Sequence, residues 1–431
     1  MSDLTFAQVD QTVLNTLKPA GKGYWTLIAL LFCGILTGAA CWLYQIFVGI
    51  GVAGMNNPVG WGTYLINFVF WVGIAHSGTL ISAILHLFRV GWRNPIARAA
   101  ETMTIFAVCT AGLFPFVHLG RAWMVYFMLP FPNQRNLWPN FQSPLMFDVV
   151  AISTYLTVSS LFWYTGMLPD LAIVRDHATG FRKKVFTVLS MGWTGRFEQW
   201  RHYTRGYLFF AALATPLVIS VHSVVSWDFA LGVVPGWHTT IFAPYFVAGA
   251  IHSGLAMVLT LMIPLRRIFN YQQIITTHVL ESIAKTIVFT GLIVAFAYGT
   301  EFFMAWYSQN PLEQYIFHYR PTGDYAVGFW IMAICNTIIP LLFFFKKIRT
   351  SIAALLVISI LVNIGMWYER FVIIITSVAR DFIPHAWGLF TPSLIEFGIM
   401  LGSFSLFFFL FCLFVKHMPS VSMTEVKELL E

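Results

Sequence analysis

The sequence predicts an all-α polytopic membrane protein with about ten transmembrane helices. Of the 431 residues, 58% are hydrophobic and only 10% are charged, and the mean hydropathy is +0.74. Soluble domains carry about 25% charged residues, so this chain has more apolar surface than one aqueous fold buries. The apolar residues fall in runs of helix-spanning length, about 20 residues each, without the alternation of a membrane β-strand.

Clusters of Gly, Pro, Asn and charged residues separate the apolar runs. The predicted spans are residues 24–50, 62–88, 99–120, 144–169, 206–228, 241–265, 276–304, 325–345, 350–375 and 393–415. The segment before the first span lacks the apolar core of a signal peptide. Phe6, Val9, Val13 and Leu17 recur there at helical spacing. This spacing predicts an amphipathic helix on the membrane surface.

The basic residues indicate the orientation of the spans. Of the 25 Lys and Arg residues, 19 lie in the two terminal segments and the even-numbered connections, five lie at the odd-numbered connections, and Lys285 lies within a span. The positive-inside rule therefore predicts that both termini are cytoplasmic. The net charge of +7 follows from this topology and requires no nucleic-acid partner.

An internal repeat relates two parts of the chain. The stretch VGIAHSGTLISAILHLFR (72–89) resembles AGAIHSGLAMVLTLMIPLRR (248–267), four spans later. An even number of spans preserves orientation, so the halves are parallel repeats. We therefore expect two four-helix bundles and two extra helices. The predicted segments are a cytoplasmic amphipathic segment (1–23), the first helix (24–61), the first bundle (62–228), the second bundle (229–375), the last helix (376–416) and a cytoplasmic tail (417–431).

Two ionisable residues stand at facing ends of consecutive spans. His118 closes the third span in FPFVHLGRAW, and Asp148 opens the fourth in SPLMFDVVAIS. Ionisable residues within membrane segments mark functional sites by default. An imidazole and a carboxylate can each accept a proton, as the two hydroxyls of a quinol require during oxidation. The alternative is a buried polar pair that fixes helix packing.

Other ionisable residues in the spans form a second group of candidates. His76 lies in the middle of the second span, where it could line the inner part of the same pocket, begin a proton path or join two helices. His252 is its repeat partner, for which an interhelical hydrogen bond is the favoured interpretation. The remaining candidates for a proton path are His222, Asp228, Glu369 and Arg370. Structural ion pairing is the alternative for these four residues.

Motifs for resident cofactors are missing from the sequence. The five cysteines lie in apolar runs without C-x-x-C spacing, which argues against a zinc site, an iron–sulfur cluster or a disulfide framework. No Gly-rich phosphate-binding loop is present. Haem would need two axial ligands facing one cavity, and the histidines form no repeated pair at a common depth.

The quoted motifs resemble those of the NrfD/polysulfide reductase membrane-subunit family. The stretches GIAHSGTLISAILHLFR, FPFVHLGRAW and PLMFDVVAISTYLTVSSLFWYTGMLPDLA carry this resemblance, which extends over about residues 20–430. Within the family, the chain is similar to the ActC-type subunits of bacterial alternative complex III, a quinol-oxidising complex.

This resemblance implies a function and a set of partners. It implies a multi-pass protein of the bacterial inner membrane that binds menaquinol or a ubiquinone-type quinol as substrate and carries no haem, iron–sulfur cluster or flavin. Electrons would pass to an ActB-like iron–sulfur subunit on the periplasmic face and then to c-type haem subunits, beside an ActF-like membrane subunit. The resemblance assigns quinol chemistry to His118 and Asp148, with His76 and Arg121 beside them, and makes proton translocation an expectation.

Three alternatives remain at the level of sequence. The first keeps the family but reverses electron flow, as in the membrane anchor of a quinone-reducing enzyme. The second is the related ActF-type subunit. The third is a secondary transporter, because parallel repeats and charges near the middle of the membrane also occur there.

Overall fold

A computed structural model describes residues 4–430; residues 1–3 and 431, at the outer ends of the predicted terminal segments, lie outside the described part. The described chain is helical and contains no strand. Ten of its helices are long and apolar enough to cross a membrane. In chain order, spans 1 to 10 are Lys22–Val48, Thr63–Leu87, Gly91–His118, Pro144–His177, Phe197–Ala230, Phe242–Ile268, Thr277–Tyr307, Ala326–Phe344, Ile352–Ala379 and Leu394–His417. The predicted fold class, an all-α membrane protein with ten spans, is confirmed.

Several spans extend beyond the apolar runs that predicted them. Span 3 begins at Gly91 rather than residue 99, span 4 continues to His177, and span 5 begins at Phe197. Charged residues end the apolar run at the membrane surface, but Arg, Lys and Glu are good helix formers. The helices therefore continue past the hydrophobic boundary on the side of the chain termini.

Helix packing divides the spans into three groups. Spans 2 to 5 contact one another, spans 6 to 9 contact one another, and span 1 packs along span 10. The pair of outer helices meets at Gly38 and Gly402, where a Cβ atom added to Gly38 would lie 2.6 Å from the Cα atom of Gly402. Small residues allow this close approach of two helix backbones in a membrane.

The repeated A/I-H-S-G motif forms the contact between the two bundles. Span 2 packs against span 6, and a Cβ atom on Gly254 would lie 2.1 Å from the Ser77 hydroxyl and 2.8 Å from the Ile74 carbonyl oxygen. Gly78 instead faces span 3, with its Cβ position 2.2 Å from the Ala100 carbonyl oxygen. The glycines of the motif are therefore explained by helix packing.

The two terminal segments fold against each other. The helix Phe6–Thr16 packs on the C-terminal helix Met423–Glu428, and the Lys427 ammonium lies 2.7 Å from the Asp10 carboxylate. The predicted amphipathic helix is present, but Val9 and Val13 are buried in protein and do not face lipid. The helix packs on the folded C-terminal tail, and its place at the membrane surface stays a prediction.

Candidate functional site

A cavity of about 420 Å³ lies at the end of the first bundle opposite the chain termini. Its walls come from the start of span 2, the end of span 3, the start of span 4 and the connection between spans 3 and 4. Most of the lining is apolar, with Phe68, Phe114, Met128 and Ile152 among its side chains. His118 and Asp148 both line this cavity, so the structure brings the two predicted residues to one site.

A break in span 3 positions His118. The regular helix ends at Ala111, and a short helical segment, Phe114–His118, continues the span. Pro115 lacks a backbone N–H, which removes a hydrogen bond from the helical ladder and favours this break. The His118 Nδ1 atom is buried and has no hydrogen-bond partner within the described chain. A ligand in the cavity can therefore supply that partner.

Asp148 lies beside a second carboxyl group, that of Asp228. Asp148 is 4% exposed and Asp228 is 6% exposed, and the two carboxyls face one another within hydrogen-bonding range. No other donor in the described residues reaches either carboxyl. Two carboxylates at such a distance repel strongly, so the contact is a hydrogen bond only when the pair shares a proton.

This pairing gives Asp228 a place that the sequence did not predict. The sequence identifies it only as a candidate for a proton path, and in the structure it is buried and contacts a residue of the cavity wall. Sequence spacing carries no signal for this contact, because the two residues are 80 positions apart and belong to different spans.

Gln45 of span 1 supports the cavity from behind. Its amide nitrogen donates to the Val117 carbonyl oxygen at 2.9 Å, and its amide oxygen accepts from the Tyr64 hydroxyl. Tyr64 lines the cavity, and Val117 precedes His118. Gln45 is fully buried and therefore holds two parts of the cavity wall together. Sequence reasoning missed this residue, although an amide within an apolar run is a detectable signal.

His76 is buried deeper in the bundle and is not among the cavity-lining residues. It follows Phe68 by eight residues, which places it about 12 Å further along the helix at 1.5 Å per residue. Its Nδ1 atom lies 2.5 Å from the Val72 carbonyl oxygen, and its ring centroid lies 4.6 Å from that of His222. His76 therefore pairs with His222 in the interior of the bundle, away from the cavity.

The second bundle adjoins this histidine pair. The Arg370 guanidinium lies 4.6 Å from the centroid of the Phe246 ring, and that ring lies 5.8 Å from the ring of His222. Arg370 also pairs with Glu369 at 2.5 Å, and Glu369 accepts a hydrogen bond from Tyr298. The candidates His222, Glu369 and Arg370 thus belong to one buried polar region between the bundles.

The last two predicted residues lie away from the cavity. His252 contacts the Thr290 hydroxyl across the helix interface at 3.0 Å, which agrees with the favoured interhelical interpretation. Arg121 is exposed at the outer connection and does not line the cavity. Its predicted contact with the ligand therefore has no support in the geometry of the cavity.

A further polar network, unrelated to the cavity, closes the opposite end of the first bundle. Arg93 lies 3.2 Å from Glu425 of the C-terminal helix, and the Tyr207 hydroxyl lies 2.8 Å from Glu425 and 2.9 Å from Glu101. A tyrosine hydroxyl donates one proton, so the second contact is a hydrogen bond only if that carboxyl is protonated. The acidic Glu425 therefore neutralises a buried arginine, which the sequence did not reveal.

The cavity has the properties of a site for an amphipathic ring-shaped ligand. Its volume falls in the range of small-molecule sites, about 300–1,000 Å³, and its walls are apolar. Two proton-accepting side chains interrupt this apolar surface, namely His118, whose Nδ1 atom has no partner in the described residues, and Asp148, which contacts only Asp228. Such a site can bind a ring by apolar contact, orient it through polar substituents and accept protons from them.

Comparison with known proteins places the chain in a family. A sequence model described as polysulphide reductase, NrfD, matches residues 51–380. The chain is 26% identical over 422 residues to a putative dimethyl sulfoxide reductase membrane subunit of Halobacterium salinarum, covering 91% of this chain and 90% of that protein. It is 21% identical over 427 residues to a selenate reductase subunit of Mesobacillus selenatarsenatis, covering 92% of this chain and 94% of that protein.

A third relative is the Hdr-like menaquinol oxidoreductase integral membrane subunit of Archaeoglobus fulgidus. It is 20% identical over 431 residues, which cover 95% of this chain and 96% of that protein. These alignments extend over nearly the whole chain, as does the pattern of ten spans. The chain is a multi-pass integral membrane protein and belongs to the polysulphide reductase NrfD family.

Proposed function

We propose that this chain is the quinol-binding membrane subunit of an electron-transfer complex and that quinol is oxidised in the cavity at His118 and Asp148. The observation that carries the proposal is an apolar cavity of about 420 Å³ whose wall holds two titratable side chains. The His118 Nδ1 atom has no hydrogen-bond partner in the described residues, and Asp148 contacts only the carboxyl of Asp228. The Archaeoglobus relative is a subunit of a menaquinol oxidoreductase, which supports the same substrate class.

The shape and chemistry of the cavity match those of a quinol head group. The ring would pack among Phe68, Phe114 and Ile152, and its two hydroxyls would face His118 and Asp148. The isoprenoid tail would leave toward the lipid, where the bundle presents exposed apolar side chains such as Leu145. Apolar contact would supply the affinity, while the two polar residues would set the orientation of the ring.

Oxidation of one quinol releases two protons and two electrons. His118 would accept the proton of one hydroxyl, and the Asp148–Asp228 pair would accept the other. A pair that already shares one proton carries a single negative charge, so a second proton neutralises it. Neutralisation of a buried charge favours proton acceptance without requiring water to enter the cavity.

In the proposed function this chain holds no redox cofactor of its own. The electrons from quinol must therefore pass to a partner subunit. The connection between spans 3 and 4 covers the cavity with the segment Ala122–Met128. Trp123, Phe131 and Trp138 of this connection are exposed. Exposed aromatic side chains are typical of protein interfaces, and we propose that an iron–sulfur subunit docks here, on the periplasmic face. Alternative complex III, with ActB-like, c-type haem and ActF-like subunits, is the proposed setting.

A second candidate function keeps the same quinol site and differs in the protein that accepts the electrons. The relatives from Halobacterium and Mesobacillus are subunits of a dimethyl sulfoxide reductase and a selenate reductase. In this second candidate function, the electrons from quinol would pass to a terminal reductase instead of c-type haem subunits. The proteins that co-purify with the chain distinguish the two settings.

The experiment is quinol oxidation by the intact purified complex, with wild type compared with His118→Ala. We expect the variant complex to assemble and to lose at least about 99% of turnover, as removal of a proton acceptor typically costs 10²–10⁴-fold. The matched control is His238→Ala, since His238 lies in the connection after span 5 and does not line the cavity. Normal turnover in assembled His118→Ala would refute the proposed site.

A further inference from the structure

A second cavity, of about 480 Å³, opens at the opposite membrane surface, near the chain termini. It lies between the linker after the helix Phe6–Thr16, the start of span 1, the helix Gly180–Leu189 and the end of span 10. Span 1 begins and span 10 ends at this level. The cavity is therefore at the depth of the lipid head groups and apart from the proposed quinol site.

The cavity concentrates positive charge. Lys18, Arg182 and Lys416 line it together with His417, and no acidic side chain of the described chain does. Arg182 lies close enough to Lys416 for the two cations to interact electrostatically. Like charges in close proximity repel, so this arrangement is more stable with an anion between them.

The cationic groups retain free hydrogen-bonding capacity. Arg182 donates from Nη1 to the Leu17 carbonyl oxygen at 2.8 Å, but its Nη2 atom is buried and has no partner in the described residues. Lys416 donates to the Thr16 carbonyl oxygen at 2.8 Å, which uses one of its three N–H groups. Both side chains are thus held in place by the backbone and can still donate to a further acceptor.

The apolar part of the cavity faces the lipid. Trp25 is 56% exposed and Phe181 is 82% exposed, and both line it. Tryptophan at this depth is typical of the membrane interface, where its ring contacts acyl chains and its N–H contacts water. A ligand with an anionic head and apolar chains would match both parts of this cavity.

We propose that this cavity is a binding site for an anionic phospholipid. The phosphate is held by Arg182, Lys416 and Lys18, and the acyl chains lie along Trp25 and Phe181. Basic pockets between helices at a membrane surface bind anionic head groups in this manner. The bound lipid would join the N-terminal linker, the helix Gly180–Leu189 and span 10, and it would stabilise the contacts among them.

The test is native mass spectrometry of the full chain, purified in detergent and titrated with phosphatidylglycerol or phosphatidylcholine. The variants are Lys18→Gln and Arg182→Gln. Lys18→Gln is the safer variant, because the Lys18 side chain is exposed. Lys183→Gln is the matched control, since Lys183 is an exposed cation on the same helix and does not line the cavity.

We expect one phosphatidylglycerol per chain in wild type and control. In Lys18→Gln, the affinity for phosphatidylglycerol should fall about fivefold, the typical effect of one cation near a membrane surface. Arg182→Gln should cause a larger loss, and the weaker binding of phosphatidylcholine should not change in either variant. Millimolar inorganic phosphate should leave phosphatidylglycerol bound.

Three results would overturn the proposal. Equal affinities in Lys18→Gln, Arg182→Gln and wild type would show that these cations do not bind the lipid. A parallel loss of phosphatidylcholine would indicate an apolar groove without head-group recognition. Displacement of the lipid by inorganic phosphate would indicate a site for free anions.

Discussion

Replacement of Asp148 by asparagine tests the proposed proton chemistry directly. The two side chains have nearly the same shape, so the cavity of about 420 Å³ should keep its volume. The amide of the variant can donate to Asp228, which reproduces the hydrogen bond of a protonated Asp148. We therefore expect Asp148→Asn to assemble normally while its cavity wall no longer carries a carboxyl that can take a proton from quinol, because Asp228 does not line the cavity.

The expected effect is on turnover and not on binding. Asp148 is 4% exposed, so bulk water has little access with which to replace it as a base. Loss of a positioned general base costs about 10²–10⁴-fold in rate, or roughly 3–5 kcal/mol of barrier. The value of KM should change less than about threefold, because the apolar walls that supply most of the affinity remain.

The assay is steady-state oxidation of a short-chain quinol by the purified complex. Asp324→Asn is the matched control, since Asp324 also lies on the side of the membrane opposite the termini but its side chain is half exposed and pairs with Arg380. A kcat within about threefold of wild type would refute the role of Asp148 as proton acceptor. A raised KM with unchanged kcat would show that the residue contributes to binding alone.

Three further predictions concern residues that support the fold. Gln45→Leu leaves the hydroxyl of a lining tyrosine and a backbone carbonyl unpaired, at a cost of about 1–3 kcal/mol each, and should raise the KM for quinol several-fold in steady-state assays. Gly254→Ala places a methyl group against the neighbouring bundle and should lower the Tm of the purified protein by several degrees. Glu425→Ala removes the partner of a buried arginine and should destabilise the chain by about 3–5 kcal/mol, measured as earlier thermal unfolding.

Each of these variants has a control on the same chain. Thr37→Val alters an exposed hydroxyl of span 1 that bonds only within its own helix, and it should leave KM unchanged. Gly299→Ala adds a methyl group where no atom lies within 4 Å, and it should not lower Tm. Glu198→Ala removes an exposed carboxylate and should leave thermal unfolding unchanged. If a variant and its control behave alike, the packing or pairing assigned to that residue is wrong.

Much of the architecture was predictable because it depends on local composition. Apolar runs separated by charges and turn residues predicted ten spans, and the repeated A/I-H-S-G motif predicted related halves. His118 and Asp148 were identifiable because ionisable groups are rare in apolar runs. Helix periodicity predicted the amphipathic helix Phe6–Thr16, and only the structure shows that it packs on the C-terminal helix.

Residues whose roles depend on contacts between distant helices were not predictable in this way. The contact of Asp148 with Asp228 joins spans 4 and 5, and the contacts of Gln45 join span 1 to two other spans. The sequence left open whether His76 lines the cavity, begins a proton path or joins two helices, and only the structure shows its contact with His222. Each of these results depends on the rotation and depth of one helix relative to another.

The sequence by itself determined that this chain crosses the membrane in ten helices and which of its spans carry ionisable residues, since transfer of each segment from water to lipid depends on that segment's own composition. Only the tertiary structure decided which ionisable residues meet, which of them face a cavity and which are buried in pairs. Lateral packing is set by the fit of small residues such as Gly254 against their neighbours, and this fit involves residues far apart in the chain.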